Sequence, residues 1–205
     1  QLRVGDALAM PNLFAKAGVD AVVIVDPARH VLFPSRLREE ALADAIRAAG
    51  ELVRRARERD PALVHHVVGM NFLQPGGSSV PHPHFQVHVR SVPYSALARA
   101  MRAARDHRAR AGRPFFEALL ERERGGPRWI GRTGAVEWLA PFAPAHQKEA
   151  WGVLPGVASL EDPRAAREAG AFASPAAVMP ETGFGWWPVI AVVRLSRITR
   201  VISAP

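Results

Sequence analysis

The chain of 205 residues contains no cysteine. This absence excludes a disulfide framework, a thiolate zinc site and a cysteine nucleophile built from these residues. No apolar run approaches the roughly 20 residues that cross a bilayer, and the first residues lack the pattern of a secretory signal. Hydrophobic residues make up 48% and charged residues 22% of the sequence, which excludes extensive disorder. We therefore expect a globular, cytoplasmic protein with no membrane partner.

Lysine is also scarce: it occurs at Lys16 and Lys148, and arginine supplies the rest of a formal net charge of +8. A basic balance is typical of nucleic-acid-binding proteins, but GC-rich codons also favour arginine, alanine, glycine and proline. The arginines at 54, 55, 57 and 59 alternate with acidic residues, as on a solvated helix face, and no aromatic platform accompanies them. Nucleic acid is therefore not an expected partner, whereas a phosphate-bearing ligand is compatible with the charge.

Hydrophobic periodicity in the first half of the chain predicts a β-α-β-β unit. A β-branched run over 19–26 indicates the first strand. Ser35 is a candidate cap for a helix over about 36–59. Two further strands are predicted over 62–70 and 84–90, and we expect them to pair as an antiparallel hairpin.

The second half of the chain has a different pattern. A helical stretch over 95–124 is interrupted at 112–114 by glycine and proline. Strands are predicted over 134–140 and 148–154, and Ser159 is a candidate cap for a short helix before Pro163.

These patterns divide the chain into four segments. They are a β-α-β-β unit over 1–93, a helical connection over 94–126, a segment with a second pair of strands over 127–170 and an unassigned tail over 171–205.

The chemistry is concentrated between Asn71 and His88, where the sequence reads NFLQPGGSSVPHPHFQVH. Alternate residues of a strand share one face. The residues placed together in this way are His82, His84, Gln86 and His88. The preceding glycine loop can bring backbone N–H groups and serine hydroxyls close to a phosphate. Packing alone does not explain three imidazoles and an amide on one face.

Two chemistries fit these residues. In the first, a neutral imidazole attacks a phosphorus atom and holds the nucleotidyl group covalently, with its other N–H held by an acceptor. In the second, the histidines bind a metal, because Gly76 and the His82-Pro83-His84 run match half of a cupin signature. No glutamate follows at the spacing that a cupin requires, and cupins lack long helices, so the covalent chemistry is favoured.

The run His82-Pro83-His84-Phe85-Gln86 resembles the galactose-1-phosphate uridylyltransferase branch of the histidine-triad (HIT-like) superfamily. The residues in register with that branch's pattern, N-x(5)-G-x-S-x-P-H-P-H-x-Q, are Asn71, Gly77, Ser79, Pro81, His82, His84 and Gln86. The segments Pro11–Phe14 and Pro27–His30 resemble two further family segments. The resemblance covers about residues 5–160. It implies an α+β fold with an antiparallel sheet and flanking helices. The β-α-β-β unit over 1–93 would be a HIT-like nucleotidyltransferase unit, and residues 127–170 would be a partial second HIT-like repeat.

The resemblance also implies roles for individual residues. His84 would be the nucleophile that attacks the α-phosphorus of a nucleotide-sugar, and Gln86 would hydrogen-bond the phosphoryl oxygens. Asn12 and Asn71 would contact the nucleotide. The residues that would hold the phosphates are Gly76, Gly77, Ser78 and Ser79.

A structural zinc ion is implied by the same resemblance. His30 and His82 would be two of its four ligands. The other two are typically a cysteine pair before the position of residue 1, so these residues alone form an incomplete zinc site. The residue after His84 is Phe85, where uridylyltransferases commonly have glycine, which leaves the sugar specificity open.

The implied function is nucleotidyl transfer, with UMP moving between a nucleotide-sugar and a hexose 1-phosphate in galactose metabolism. The same region resembles diadenosine-polyphosphate and ADP-sugar phosphorylases, in which phosphate is the acceptor. Two further alternatives are a non-catalytic nucleotide-binding remnant and a basic RNA-binding domain. A sheet edge left exposed by an incomplete repeat would favour a homodimer.

Overall fold

The computed structural model describes residues 1–16, 18–30, 36–71, 78, 80, 82–144, 149–157 and 159–169, and the backbone of 191–195. The chain divides into two compact units. The first comprises Gln1–Pro93 with Leu160–Pro188, and the second comprises Tyr94–Ser159 with Val189–Pro205. Each unit combines a mainly antiparallel sheet with helices, so the predicted α+β class is confirmed.

The first unit is built on a five-stranded antiparallel sheet in the order β1-β2-β3-β5-β4. Its strands are β1 (Leu2–Val4), β2 (Ala7–Pro11), β3 (Val19–Ile24), β4 (His65–Gly69) and β5 (His84–Arg90). The predicted antiparallel pairing of the last two strands is confirmed. The sheet is larger than predicted, because β1 and β2 add a hairpin at its edge.

One helix, α1 (Glu39–Arg59), covers one face of this sheet. Acidic residues in its first turn and basic residues in its last turn complement the helix dipole. Most of its buried side chains are alanines, which let the helix lie close to the strands. The predicted start was early: the residue before the helix is Arg38, whose side chain makes no capping hydrogen bond, and Ser35 lies outside the described residues.

The basic face of α1 is neutralised within the helix. Glu51 accepts hydrogen bonds from Arg54 and Arg55 at 2.6 Å, and Arg54 also pairs with Glu58. Hydrogen bonds from the two arginines lower the pKa of Glu51 to about 2. These pairs agree with the solvated helix face expected from the alternation of charges.

Residues 160–169 pack against α1 and so belong to the first unit, although the sequence placed them in the second repeat over 127–170. The approach is close: a Cβ added to Gly50 of α1 would lie 2.6 Å from the carbonyl oxygen of Leu160. The short helix α4 (Pro163–Arg167) begins here. Its cap is Asp162, which accepts a hydrogen bond from the Arg164 backbone N–H at 2.9 Å, so the prediction of Ser159 as the cap was wrong.

The second unit combines two helices with a four-stranded sheet in the order β6-β7-β8-β9. Its elements are α2 (Ser95–Ala111), α3 (Phe115–Glu123), β6 (Trp129–Thr133), β7 (Val136–Leu139), β8 (Ala150–Leu154) and β9 (Ala191–Leu195). The predicted interruption of the helical stretch is confirmed, because Gly112 ends α2 in the left-handed conformation at φ 69°. Strand β9 pairs in parallel with β8.

The core of the second unit is aromatic. Phe116 of α3 contacts Trp151 of β8 edge to face, with ring centroids 6.4 Å apart. The core of the second unit is therefore packed with large aromatic rings, whereas the core of the first unit contains mainly alanine and valine side chains. Within the described part of the chain, no helix is both long and apolar enough to span a membrane. The cytoplasmic location stays a prediction.

Candidate active site

The motif strand β5 lies inside the first sheet, between β3 and β4. Its residues alternate between the two faces. Val87 and Val89 are fully buried under α1, and Phe85 packs against the same core. His84 and Gln86 therefore lie on the opposite face, which is called the open face below. The predicted alignment of the motif residues along one face of this strand is confirmed from His84 to His88.

Phe85 lies between His84 and Gln86 in the strand but faces the other way. The side chain that stands where uridylyltransferases commonly have glycine points into the core beneath α1. It therefore cannot contact a ligand that lies on the open face.

The His84 ring is held in one orientation by a backbone group. Its Nδ1 lies 2.8 Å from the carbonyl oxygen of His82. A carbonyl oxygen can only accept a hydrogen bond, so Nδ1 carries the proton of the neutral ring and Nε2 carries the lone pair. The orientation is therefore that of an imidazole ready to attack an electrophile through Nε2.

The His82 ring is held in the opposite tautomer. Its Nε2 donates to the backbone carbonyl of Asp26 at 2.7 Å, which leaves the lone pair on Nδ1. The backbone around it is fixed as well, because the N–H of Val25 donates to the carbonyl of Pro83 at 3.1 Å. His82 thus connects the end of β3 to the nucleophile candidate through two successive hydrogen bonds.

Asp26 anchors this end of the site with its side chain. Its carboxylate accepts hydrogen bonds from Arg38 at 2.8 Å and from the Ala28 N–H at 3.1 Å. Burial raises the pKa of Asp26, but the hydrogen bond and charge of Arg38 and the bond from Ala28 outweigh it, so the pKa is lower than usual. Arg38 also donates to Asp6 at 2.5 Å and thereby joins three segments of the unit.

Gln86 has open space beside it. Its partner in β4 is Gly69, which has no side chain, and its partner in β3 is Val22. Among the described residues, no atom lies within 4 Å of a Cβ built on Gly69. The amide of Gln86 therefore borders a space into which phosphoryl oxygens could enter.

Asn12 takes part in a local network around a buried carboxylate. Its Nδ2 donates to Asp20 at 3.1 Å, and its Oδ1 accepts from the Phe14 N–H at 3.2 Å. Asp20 also accepts from the Lys16 N–H at 2.9 Å, and Nδ1 of His88 lies 3.8 Å from it. The contact of Asn12 with the nucleotide stays a prediction, and the observed bonds are those of a turn residue.

The remaining phosphate-loop predictions are only partly described. Ser78 is buried, and its hydroxyl donates to the carbonyl of Val80 at 2.7 Å, so donation to phosphate would require that bond to break. Asn71 is exposed and follows β4 by two residues, at the end of the sheet where β5 begins. Gly76, Gly77 and Ser79 lie outside the described residues.

The two predicted zinc ligands lie side by side. The rings of His30 and His82 have centroids 4.4 Å apart in an edge-to-face arrangement. Within the described ranges, no group of three or more histidine, aspartate or glutamate side chains could hold a metal ion. Structural zinc takes four ligands, so the residues present do not fit a complete zinc site.

Sequence reasoning missed two acidic residues of this site. Asp26 precedes Pro27 directly after a strand, which is a turn signal that could have identified it. Asp20 interrupts the β-branched run of β3, and a charged residue in an otherwise apolar strand is a sign of a buried polar contact.

Comparison with known proteins places this geometry in context. No protein-family model matches the chain. An uncharacterized protein of Archaeoglobus fulgidus is 32% identical over 140 residues, which cover 68% of this chain and 41% of that protein. The chain thus spans less than half the length of this relative.

Solved structures share the fold over most of the chain. A uridylyltransferase matches with a TM-score of 0.71 and 18% identity, over 82% of this chain and 60% of that one. A GALT-like protein of Arabidopsis thaliana matches with a TM-score of 0.67 and 17% identity, over 82% and 59%. An ADP-glucose phosphorylase of Arabidopsis thaliana, with bound ADP-glucose, gives 0.66 and 16%, over 82% and 58%. The resemblance to the uridylyltransferase branch of the HIT-like proteins therefore extends to the fold.

Proposed function

We propose that this chain, which has the uridylyltransferase fold, carries out nucleotidyl transfer through a covalent intermediate on His84. The observation that carries the proposal is the 2.8 Å hydrogen bond from His84 Nδ1 to the His82 carbonyl. It leaves the Nε2 lone pair for attack on phosphorus.

The reaction has two steps. In the first, Nε2 of His84 forms a bond to the α-phosphorus of a nucleotide-sugar, and the bond to the leaving sugar 1-phosphate breaks. In the second, a phosphate oxygen of the acceptor attacks the same phosphorus and the N–P bond breaks. Gln86 would donate from its amide to the charged phosphoryl oxygens, a kind of contact that stabilises the transition state.

The donor is proposed to be UDP-glucose and the acceptor a hexose 1-phosphate, as in galactose metabolism. Similarity to an ADP-glucose phosphorylase supports a second candidate, in which inorganic phosphate is the acceptor. The two candidates share the first step and differ in the acceptor.

The test is intact-mass spectrometry after incubation with UDP-glucose or ADP-glucose, without acid because phosphoramidates are acid-labile. We expect the mass of one nucleotidyl group to be added, and its size identifies the base. His84→Ala should abolish the adduct. The matched control is His88→Gln, which removes an imidazole from the same face of the same strand and should keep the adduct.

The acceptor follows from a second incubation. Hexose 1-phosphate or inorganic phosphate is added to the isolated adduct, and the acceptor that removes the nucleotidyl mass faster is the substrate. If no adduct forms while calorimetry still detects nucleotide binding, the chain is a non-catalytic nucleotide-binding protein and the proposal is wrong.

A further inference from the structure

The surface of α2 in the second unit carries a concentration of positive charge. Five of its 17 residues are arginines and one is an aspartate, Asp106, so this helix accounts for half of the formal net charge of +8. All five arginines are exposed, and no acidic residue stands in the first turn of the helix. They are Arg99, Arg102, Arg105, Arg108 and Arg110.

The charge of these arginines is not neutralised by neighbouring groups. In the residues that the structure describes, none of the five guanidinium groups takes part in an ion pair or a side-chain hydrogen bond. By contrast, Arg113, two residues after α2, contacts the carboxylate of Glu121 at 2.6 Å. The positive charge of α2 is therefore available to an anionic partner.

The arginines of α1 are arranged differently. Arg47 pairs with Asp44. Arg54 and Arg55 both pair with Glu51. The expectation that nucleic acid is not a partner rests on this alternation of charges, which α2 lacks. Residues three apart are neighbours on a helix, so the like charges of α2 repel one another and weaken the helix in the absence of a partner.

The apolar side of α2 packs within the second unit. Leu97, Met101 and Ala104 are half-buried at spacings of three and four residues. His107, on the same side, contacts Phe115 of α3 edge to face, with ring centroids 5.4 Å apart. The helix is thus fixed by one side and presents its arginines on the other.

The composition of α2 favours one kind of anionic partner. A helix that lies on a lipid surface inserts exposed tryptophan, phenylalanine or leucine side chains, and α2 has no exposed large apolar side chain. A single-stranded nucleic acid is usually held by stacking of its bases on aromatic side chains, and α2 contains none. Arginine binds phosphate oxygens through its planar guanidinium group. These features favour the phosphate backbone of a duplex.

The length of α2 is sufficient for several phosphate contacts. A helix of 17 residues is about 25 Å long, and the phosphates of each duplex strand follow one another at about 3.4 Å along the axis. We propose that the exposed arginines of α2 form a contact surface for the phosphate backbone of a double-stranded nucleic acid, without base specificity. His84 takes no part in this contact, so the proposal is independent of the covalent chemistry.

The test is the binding of a fluorescein-labelled DNA duplex, measured by anisotropy between about 50 and 200 mM salt. Each phosphate that is neutralised changes the slope of log affinity against log salt by about 0.9. The variant Arg99→Gln/Arg102→Gln/Arg105→Gln should therefore have a slope smaller by about three and bind at least about tenfold more weakly than the wild type. Glutamine is a good helix former, and circular dichroism checks that the helix is retained.

The matched control is Arg47→Gln/Arg54→Gln/Arg55→Gln. It removes the same charge from α1, where each arginine is already paired with a carboxylate. Affinity and slope should therefore change much less than in the α2 variant. Equal losses in the two variants would show a response to net charge alone and would overturn the proposal.

Two further measurements complete the test. Arg99→Lys/Arg102→Lys/Arg105→Lys keeps the positive charges and should bind the duplex nearly as tightly as the wild type, because lysine binds phosphate as a point charge. His84→Ala should bind the duplex as the wild type does. Loss of binding in either variant, no binding by the wild type at about 50 mM salt, or binding to phosphatidylserine vesicles in place of the duplex would overturn the proposal.

Discussion

The buried carboxylates of the second unit and the His84 ring of the first unit are held in different ways. The second unit buries the carboxylates of Glu123, Glu137 and Glu149, and each accepts a hydrogen bond at 2.6–2.8 Å from an arginine or a tryptophan of the same unit. The first unit holds the His84 ring by Nδ1, and no second hydrogen bond of that ring is found among the described residues. The ring belongs to the open face of β5, and its Nε2 carries the lone pair.

This difference separates stability from chemistry. Polar groups that are fully paired inside a unit contribute to the stability of the fold. Removing one partner leaves a buried charge uncompensated and lowers the free energy of unfolding. Polar groups that are held by one atom and leave another accessible are arranged for a ligand. Substitutions of the first kind should therefore change stability, and substitutions of the second kind should change activity.

The largest effect on stability is expected from Arg124→Ala. Arg124 donates to both carboxylate oxygens of Glu137, at 2.7 and 2.8 Å, and the Glu137 side chain is only 7% exposed. Without Arg124 a buried charge has lost its partner, which should lower the free energy of unfolding of the second unit by about 3 kcal/mol. Urea unfolding followed by tryptophan fluorescence measures the change.

The reverse substitution sharpens this prediction. In Glu137→Gln the arginine loses its partner instead, but its side chain is half-exposed and can turn to water. The loss of stability should therefore be clearly smaller than in Arg124→Ala. Equal losses in the two variants would show that burial of the carboxylate is not the cause.

A second prediction compares neighbouring residues of β5 that face opposite ways. Gln86→Ala removes a proposed donor to phosphoryl oxygens and should lower the rate of adduct formation by about 100-fold. Its stability should stay close to that of the wild type, because the side chain lies on the open face. Rapid-quench mass spectrometry gives the rate.

Val87→Ala should behave in the opposite way. Val87 is fully buried under α1, so the cavity should lower the free energy of unfolding by about 2 kcal/mol. Adduct formation below the unfolding transition should change little. If Gln86→Ala were the more destabilising of the two, the assignment of the faces of β5 would be wrong.

Local patterns in the sequence were sufficient for the elements that carry the motif. The alternation of β5 and the periodicity of α1 each depend on neighbours a few residues apart, and the predicted strand over 84–90 agrees with the observed one. The short strands β1 and β2 were missed because three and five residues give little periodicity. The sequence signal for this hairpin was the Gly5-Asp6 pair, a common turn sequence, and Gly5 adopts φ 52° in the turn between the two strands.

Contacts between distant residues could not be read in the same way. The hydrogen bond from His82 to Asp26 joins residues 56 positions apart. It holds the side chain of the residue whose backbone carbonyl accepts the hydrogen bond from His84. Likewise, residues 160–169 follow the residues 94–159 of the second unit in the sequence but pack against α1, where the small residue Gly50 lets the backbone approach. Such pairs follow from the fold and not from any short segment.

A third prediction concerns the stability of the fold at mildly acidic pH. His66 lies opposite Val89 on the core side of β4, and burial lowers the pKa of its ring, against the opposing charge of Glu161. The folded state therefore takes up this proton at lower pH than the unfolded state, whose pKa is near the ordinary value of about 6.5. Stability should be complete above that pH and fall as the pH drops from there towards the folded pKa.

The variant His66→Gln should reduce this slope. Lowering the pKa by one corresponds to about 1.4 kcal/mol in the free energy of unfolding. The change is therefore measurable by urea unfolding between pH 7 and pH 5. The control His65→Gln changes a less buried ring on the other face of the strand and should reduce the slope less. If the two variants had the same slope as the wild type, other groups would be responsible.

The smallest effect is expected at Asp162, where a polar group of the first unit serves the fold and not a ligand. Its side chain accepts from the Arg164 N–H at 2.9 Å and begins α4, which packs against α1. Asp162→Ala should therefore lower the free energy of unfolding by about 1 kcal/mol and leave adduct formation unchanged. Asp162→Asn keeps the acceptor oxygen and should restore most of the stability. A loss of activity in Asp162→Ala at full stability would contradict the separation of the two kinds of polar group, because it would connect a helix cap to the chemistry on the open face.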